Sequence, residues 1–320
     1  MSLLEVKDLK TYFHTKDGVV KAVDGVSFNL EEGEAIALVG ESGCGKTTTA
    51  LSITKLLPQE GQIAGGNVLF NGNDLVHLPH GKMRRTRWNE ISIVFQGAMN
   101  SLNPVMKVGD QIIEAIMLHK GSSRMEAKKK VKELFELVEI NSERMDQYPH
   151  EFSGGMKQRA MIAMALACDP KLIIGDEPTT ALDVMVQAQI LNLLEKLRKD
   201  LNMSMILITH DLSVMGETCD KAAIMYAGKI VELGSVEDIL DKHLHPYTEK
   251  LIQSFPDIYG TREMISSIPG SPPNLLNPPD GCLFHPRCEF ATEECRKKEP
   301  VLKEVSPNHF VSCHVRGGVV

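Results

Sequence analysis

Long hydrophobic runs are missing from this sequence of 320 residues. No apolar stretch approaches the roughly 18 residues that a membrane-spanning helix needs. The longest, Ala35–Gly40 and Met203–Thr209, have the length of strands. A soluble chain is expected, one whose work at a membrane comes through a partner. A surplus of positive charge is missing too. The formal net charge is -7, which argues against nucleic acid as a partner because such binders present a basic surface. The opening stretch to Phe13 scatters charges among its apolar residues and has no hydrophobic h-region, so no secretory signal is expected. There is no long-period internal repeat. Nor is there any sign of disorder, since 42% hydrophobic and 24% charged residues are ordinary for a globular chain.

What is present alternates between strand and helix patterns. Residues 3–38 read as short strands with turn signals at Lys16-Asp17-Gly18 and Glu32-Gly33. The run Ala35–Val39 is continuously apolar, as in a strand buried on both faces. It leads into a glycine-rich turn and a helix from about Lys46. Residues 63–95 read as further strands, and residues 106–170 as helices, including one over Ser123–Val138. Two more apolar strands, Lys171–Gly175 and Ser204–Thr209, flank a helix over Val184–Leu201. This alternation predicts an α/β fold with a parallel sheet. Beyond about Phe255 the chain turns proline-rich and loses helical pattern. It reads as a linker into a Cys-rich appendage too short to build its own apolar core.

The chemistry concentrates in a few motifs. Gly40, Glu41, Ser42, Gly43, Cys44, Gly45, Lys46 and Thr47 match G-x-x-x-x-G-K-[ST] between a buried strand and a helix. Glycines let backbone N–H groups turn toward phosphate oxygens, and the helix N-terminus adds a positive dipole end. Lys46 is expected at the β- and γ-phosphates, the Thr47 hydroxyl at Mg²⁺, and Thr48 completes the nucleotide-binding set. Asp176 and Glu177 end a buried strand, where ligands of open α/β sheets sit. There Asp176 is placed to hold Mg²⁺ and Glu177 to take a proton from, or orient, an attacking water. Ser153, Gly154 and Gly155 open another helix, giving a capped and bare N-terminus that suits an anion.

These motifs, in their order, resemble the ABC transporter ATPases. The likeness rests on Phe152-Ser-Gly-Gly-Met-Lys-Gln-Arg159, then Asp176-Glu-Pro-Thr-Thr-Ala-Leu-Asp183, then Thr209-His210-Asp211. It implies a P-loop NTPase (RecA-like) α/β core with an antiparallel β subdomain and an α-helical signature subdomain at about 97–165. Residues 1–255 would form the ATPase domain and 256–320 a small Cys-rich C-terminal extension. It makes Gln96 the Q-loop glutamine and a further Mg²⁺ ligand, Asp183 the D-loop aspartate, and His210 the switch histidine at the γ-phosphate. Ser153, Gly154 and Gly155 would face ATP held by a second subunit. Phe152 and Met156 stand where the common signature has Leu and Gln, while its Ser-Gly-Gly core is intact. The adenine platform falls to the adjacent Tyr12 and Phe13, which point to opposite faces of a strand; alignment to the pattern favours Phe13.

Finer features resemble the oligopeptide/dipeptide importers, closest to their dipeptide-type D subunit. They are Ser101-Leu-Asn-Pro104, His245-Pro-Tyr-Thr248 and Gly281-Cys-Leu-Phe-His-Pro-Arg-Cys288. The resemblance implies a heteromeric importer at the cytoplasmic face of the membrane. Its parts are a second, different ATPase subunit, two permease subunits and an external peptide-binding protein, with the segment Gln96–Val108 meeting the permease. A nickel importer ATPase of the same family, and a non-transport ABC ATPase, are the alternatives. Cys282, Cys288, Cys295 and Cys313 are spaced C-x₅-C-x₆-C-x₁₇-C. That spacing matches neither the usual zinc pairs nor the ferredoxin run, although four thiolates suit iron–sulfur or zinc. The resemblance implies a [4Fe–4S] cluster at these cysteines; zinc or no metal stays open. ATP and Mg²⁺ are the other expected ligands.

Overall fold

The computed structural model describes residues 2–97, 101–180, 182–254 and 268–317. The linker expected after Phe255 therefore lies largely outside the described residues, as does Ala181 of the acidic motif. Along the chain, β1 (Ser2–Thr15), β2 (Gly18–Glu31) and β3 (Ala35–Val39) precede α1 (Lys46–Thr54). Then come β4 (Gly61–Phe70), β5 (Asn73–Asp74), α2 (His80–Asn89) and β6 (Ile91–Val94). Three helices follow: α3 (Val108–Lys120), α4 (Arg124–Leu137) and α5 (Gly154–Ala165). Next are β7 (Leu172–Asp176), α6 (Val184–Asp200), β8 (Ser204–Thr209) and α7 (Leu212–Thr218). The chain ends with β9 (Lys221–Tyr226), β10 (Lys229–Ser235), α8 (Val236–Asp241), α9 (Pro246–Gln253), α10 (Glu293–Lys297), β11 (Lys303–Ser306) and β12 (His309–Val311).

One expectation fails locally. Residues 80–89, read as strand, form α2. Lys82-Met83-Arg84-Arg85-Thr86 lacks the period-2 alternation a half-buried strand needs, and only Met83 of the helix is buried. Regular helix ends where Arg87 and Trp88 leave helical dihedrals, Trp88 at φ 71°. By contrast the helix starts follow their caps. Ser123 accepts from the Glu126 N–H while the Glu126 carboxylate accepts from the Ser123 N–H at 2.8 Å, a reciprocal capping box.

The chain divides into two compact units. The first comprises Met1–Leu30, Ala35–Val76 and Ile208–Val320, the second Glu31–Glu34 and His77–Leu207. In the first, β2-β1-β4-β5 make a sheet, with β1 and β4 antiparallel from Leu4 opposite Phe70 to Phe13 opposite Gly61. A second run of strands follows the order β11-β12-β10-β9-β3. Here β3 lies parallel to β9, Val39 beside Ile224, and β9 turns back into β10 through Ala227 and Gly228, both at positive φ. All five residues of β3 are buried, matching its unbroken apolar run. In the second unit β6 and β7 pair in parallel and β8 flanks β7. Beside them α3, α4 and α5 pack around Ile112, Val131 and Phe135, all three fully buried.

Among the described residues the C-terminal segment places Phe284 in the core of the first unit. The rings of Tyr226, Tyr247 and Phe284 meet with centroids 4.7, 5.2 and 5.4 Å apart, and all three are at most 1% exposed. The segment also supplies β12, antiparallel to β10 with Val311 opposite Glu232. Glu232 has 0% exposure and accepts three hydrogen bonds, from the backbone N–H groups of Leu244 (2.7 Å) and His245 (2.9 Å) and from His309 Nε2 (2.8 Å). A buried carboxylate persists only with such donors. These bonds explain the His-Pro-Tyr-Thr sequence: His245 Nδ1 caps α9 by accepting from the Tyr247 N–H at 3.0 Å, and Pro246 is the first helical residue.

His245 must be neutral at Nδ1 to accept that bond. Burial lowers its pKa from 6.5 to about 4, with Arg316 adding to the drop and Glu232 opposing it. The unfolded chain therefore takes up a proton below about 6.5 that the folded chain refuses until about 4. Over that window stability falls with falling pH, this group contributing up to ~1.4 kcal/mol per pH unit. Thermal denaturation between neutral and mildly acid pH should show a shallower loss in His245→Asn than in the parent. Equal slopes would remove His245 as the cause.

Candidate functional site

The first unit carries the glycine loop. Gly40, Gly43 and Gly45 have φ of 156°, 80° and 106°. A side chain at Gly40 would lie 2.2 Å from the Met225 carbonyl oxygen, and one at Gly45 would lie 2.4 Å from that of Ala22. Both positions are thus closed to every residue but glycine, by space and by backbone. A Cβ at Gly43 would meet nothing within 4 Å; its glycine serves the dihedral alone and leaves that side of the loop open. The β9–β10 turn braces the loop from behind, the Gly228 N–H donating to the Cys44 carbonyl at 2.9 Å.

The Lys46 ammonium is buried and donates to the Gly40 and Glu41 carbonyls at 2.6 and 3.0 Å. The cation thus arches back over the loop. The neighbouring Cys44 thiol is pushed up by burial, with Lys46 opposing. Thr47, Ser42 and Gly43 are exposed, and Thr48 is half-buried. A glycine-rich loop at a helix N-terminus with one lysine suits a polyphosphate chemically.

Two further residues of the first unit grip Glu41. Tyr247 Oη accepts from its backbone N–H at 2.9 Å, and Arg287 forms a two-pronged ion pair with its carboxylate at 2.7 and 3.0 Å. Sequence reasoning did not assign either residue to the site. Both stand inside motifs already noted, His245–Thr248 and Gly281–Cys288, but nothing in their spacing says they reach a loop some two hundred positions upstream.

Of the aromatic pair, Tyr12 donates its hydroxyl to Asp24 at 2.7 Å under the Lys21 ammonium, 5.7 Å from the ring centre. Burial, then the Asp24 hydrogen bond, pushes its phenol up to about 12. Phe13 lies over Gly61, where a Cβ would be 2.9 Å from its ring. The strand is tied to α1 by Thr11 and Ser52, hydroxyl to hydroxyl at 2.7 Å. Tyr12 is therefore engaged through its polar end, while the Phe13 ring has only apolar work. His210 is exposed at the end of β8, where Asp211 caps α7 through the Ser213 N–H at 2.9 Å.

The second unit carries the acids. Asp176 ends β7 and is 3% exposed. Glu177 follows with φ 47°, an uncommon conformation for a residue with a side chain. Its carboxylate accepts from Gln96 Nε2 at 2.9 Å and from Thr180 Oγ1 at 3.1 Å. Gln96 and Glu177, 81 positions apart, are thus brought together. A side chain at Gly175 would meet Pro178 at 3.2 Å, so the missing Cβ lets the chain fold back after the acids.

Ser153 caps α5 by accepting from the Met156 N–H at 3.3 Å, and Ser153 and Gly154 are exposed. Phe152, which replaces the common Leu, is buried at 5% exposure and keeps the apolar role. A Cβ at Gly155 would lie 2.8 Å from Val186 of α6, so glycine there lets the two helix starts approach. Asp183 caps α6 through the Val186 N–H at 3.0 Å.

Among the described residues no group of three or more His, Cys, Asp or Glu side chains stands in metal-holding geometry. Cys282, Cys288, Cys295 and Cys313 are free thiols, Cys295 buried and the others half-buried. They nonetheless share one region. Burial, then the charges of Cys295, Cys313 and Cys288, pushes the Cys282 thiol up to about 11. The Cys282 N–H donates to the Cys295 carbonyl at 2.8 Å. By donor chemistry alone four thiols suit a cluster or a zinc ion, although these four do not stand in metal-holding geometry.

The glycine loop, the strand-end acids and the capped Ser-Gly-Gly helix define a P-loop ATPase of the cassette class. Comparison with known proteins narrows the class. Residues 23–180 match the ABC transporter family, and residues 231–295 match the oligopeptide/dipeptide transporter C-terminal region. A probable peptide ABC transporter ATP-binding protein of Sinorhizobium fredii is 50% identical over 315 residues, 97% of this chain and 94% of that protein. The oligopeptide transport ATP-binding protein OppD of Bacillus subtilis is 50% identical over 313 residues, covering 97% and 87%. Among solved structures, a dimeric bacterial ABC transporter cassette aligns with TM-score 0.65 at 26% identity, over 73% of this chain and 98% of that one. A post-hydrolysis state of such a dimeric cassette, bound to ADP and Pi, aligns equally well. The chain belongs to the ABC transporter ATPases, in their oligopeptide/dipeptide branch. Its fold is the ABC ATPase cassette, and no helix among the described residues is long and apolar enough to cross a membrane.

Proposed function

We propose that this chain is the ATP-hydrolysing subunit of an importer of di- and oligopeptides. The carrying observation is the identity of 50% with peptide-transport ATP-binding proteins along 97% of the chain. In this reading Gly40–Thr48 hold the phosphates, Lys46 sits at the β- and γ-phosphates, and Phe13 stacks on adenine in preference to Tyr12. Thr47, Gln96 and Asp176 serve the Mg²⁺ of the MgATP substrate. Glu177 takes the proton of the attacking water, whose oxygen bonds to the γ-phosphorus as the bond to the β-phosphate oxygen breaks, giving ADP and phosphate. His210 contacts the γ-phosphate.

Ser153, Gly154, Gly155 and Asp183 serve the ATP held by a second, different ATPase subunit. Closure of that pair around ATP, and opening after hydrolysis, moves two permease subunits fed by an external peptide-binding protein. The chain then works at the cytoplasmic face of the membrane. The exposed apolar side chain of Val105, at 80%, and that of Phe95 just before the segment, at 39%, favour Gln96–Val108 as the permease contact, with residues 98–100 outside the described residues.

The Gln96–Glu177 pair makes the role of Glu177 testable. Glu177→Gln should keep MgATP affinity within about threefold and lower turnover by about a hundredfold or more, the scale of losing a general base. Lys46→Ala should instead weaken binding itself. Normal turnover in Glu177→Gln, measured beside nucleotide affinity, would remove that residue from its role.

The C-terminal region is proposed to hold a [4Fe–4S] cluster through Cys282, Cys288, Cys295 and Cys313. The donor chemistry of four cysteines in one proline-rich, loop-dominated segment supports this. When bound, the cluster would supply a structural cross-link rather than redox chemistry. Anaerobic purification should then give a brown protein with about four irons per chain. Any Cys→Ser change should lose the colour. A colourless anaerobic preparation, with zinc or without metal, would refute the cluster and leave the ATPase reading standing.

A further inference from the structure

Glu41 is an odd residue for its place. It puts a carboxylate in the second position of a loop read as receiving three or four negative phosphate charges. The structure answers that charge with one residue. The Arg287 side chain is 4% exposed, and its guanidinium spans the Glu41 carboxylate at 2.7 and 3.0 Å. Its other donors are directed too: Nε to the Pro269 carbonyl at 2.8 Å, Nη1 to Tyr226 Oη at 3.3 Å, and Nη2 toward the Ile268 carbonyl at 3.5 Å. The plane lies 5.7 Å from the Tyr226 ring centre and 5.9 Å from that of Phe284. Five N–H groups in a fixed fork, all engaged and nearly buried, have almost no freedom to move.

The same residue is held at its backbone. The Glu41 N–H donates to Tyr247 Oη at 2.9 Å, and its carbonyl accepts from the Lys46 ammonium at 3.0 Å. Tyr247 is itself fully buried between Tyr226 and Phe284. Glu41 is therefore a junction: one side bears the loop lysine, the other the C-terminal segment. Arg287 ends a single 3₁₀ turn, His285–Arg287, framed by Cys282 and Cys288. The His285 N–H donates to the Cys282 carbonyl at 3.0 Å and the Cys288 N–H to the His285 carbonyl at 3.3 Å.

We propose that Arg287 is a positioning residue for the phosphate loop. It cancels the charge of Glu41 and, with Tyr247, fixes the loop entry, so that the C-terminal Cys-rich segment sets the affinity of the site for polyphosphate. The proposal rests on the reading of residues 40–47 as the phosphate site. It requires no metal at the cysteines, only that the segment keep the 3₁₀ turn in place.

The test uses the full chain and titrates a fluorescent ATP analogue, then the matching ADP analogue, into Arg287→Met, Glu41→Gln, the double variant and Lys46→Ala. Arg287→Met, which leaves the Glu41 charge uncancelled, should weaken ATP binding by about tenfold and ADP binding by less, since repulsion grows with ligand charge. A purely structural role would move both ligands alike. The double variant, with neither charge, should return to within about threefold of the parent. Arg287→Lys keeps the charge but loses the fork, so it should weaken ATP binding by less than Arg287→Met, about threefold to fivefold, which holds the test open if the Met variant does not fold. ATP affinity unchanged in Arg287→Met, a double variant as weak as the single, or a Lys variant whose ATP and ADP losses are equally large would overturn the proposal. Unchanged binding in Lys46→Ala would instead overturn the reading of the site beneath it.

Discussion

A loop that wraps phosphates has to turn its backbone inward, and that demand constrains everything around it. Here the turn is possible only because Gly40 and Gly45 have no side chains: a Cβ at either would strike a carbonyl oxygen at 2.2 or 2.4 Å. Those carbonyls belong to Met225 and Ala22, on β9 and β2, so two strands press directly on the loop. The β9–β10 turn adds the Gly228 hydrogen bond to Cys44. Rigidity of this kind matters for binding, because a loop already in its receiving shape loses little entropy when the ligand arrives.

The C-terminal region belongs to that support. Its largest buried side chain is Phe284, placed against two tyrosines, with Val311, His309 and Cys295 buried as well, and its hydrogen bonding centres on Glu232 and Arg287. A carboxylate with no exposure and three donors, paired across strands with Val311, locks β12 against β10. This region therefore resembles a strap over the phosphate loop more than an independent module. The second unit works by a different economy. Glu177 is held in an unfavourable backbone conformation and aimed by Gln96 and Thr180, while Asp183 and Ser153 satisfy helix N-termini and so fix the two helix starts that glycine at 155 allows to approach.

Much of this was readable in the residues. The loop, its flanking strand and helix, the buried strands β7 and β8, the Ser153 cap and the acid pair all follow local rules of period, capping and glycine placement. What was hidden is non-local. The helix α2 was misread because a polar stretch next to strands carries no signal of its own. Arg287 and Tyr247 were visible as motif members, but their meeting with Glu41 depends on the path of the chain and not on spacing. For the adenine platform the family pattern favoured Phe13 over Tyr12, but the pattern carried no physical reason; the Asp24 bond to Tyr12 and the seat of Phe13 on Gly61 distinguish the surroundings of the two rings.

The central claim is that nucleotide phosphates are received by Gly40–Thr47. Hydrogen exchange of the full chain with and without MgATP tests it most directly. Amides from Gly43 to Thr47 should exchange more slowly with nucleotide, because phosphate oxygens would accept their hydrogens. Saturating MgATP that leaves this stretch unchanged, with protection confined to other segments, would contradict the account.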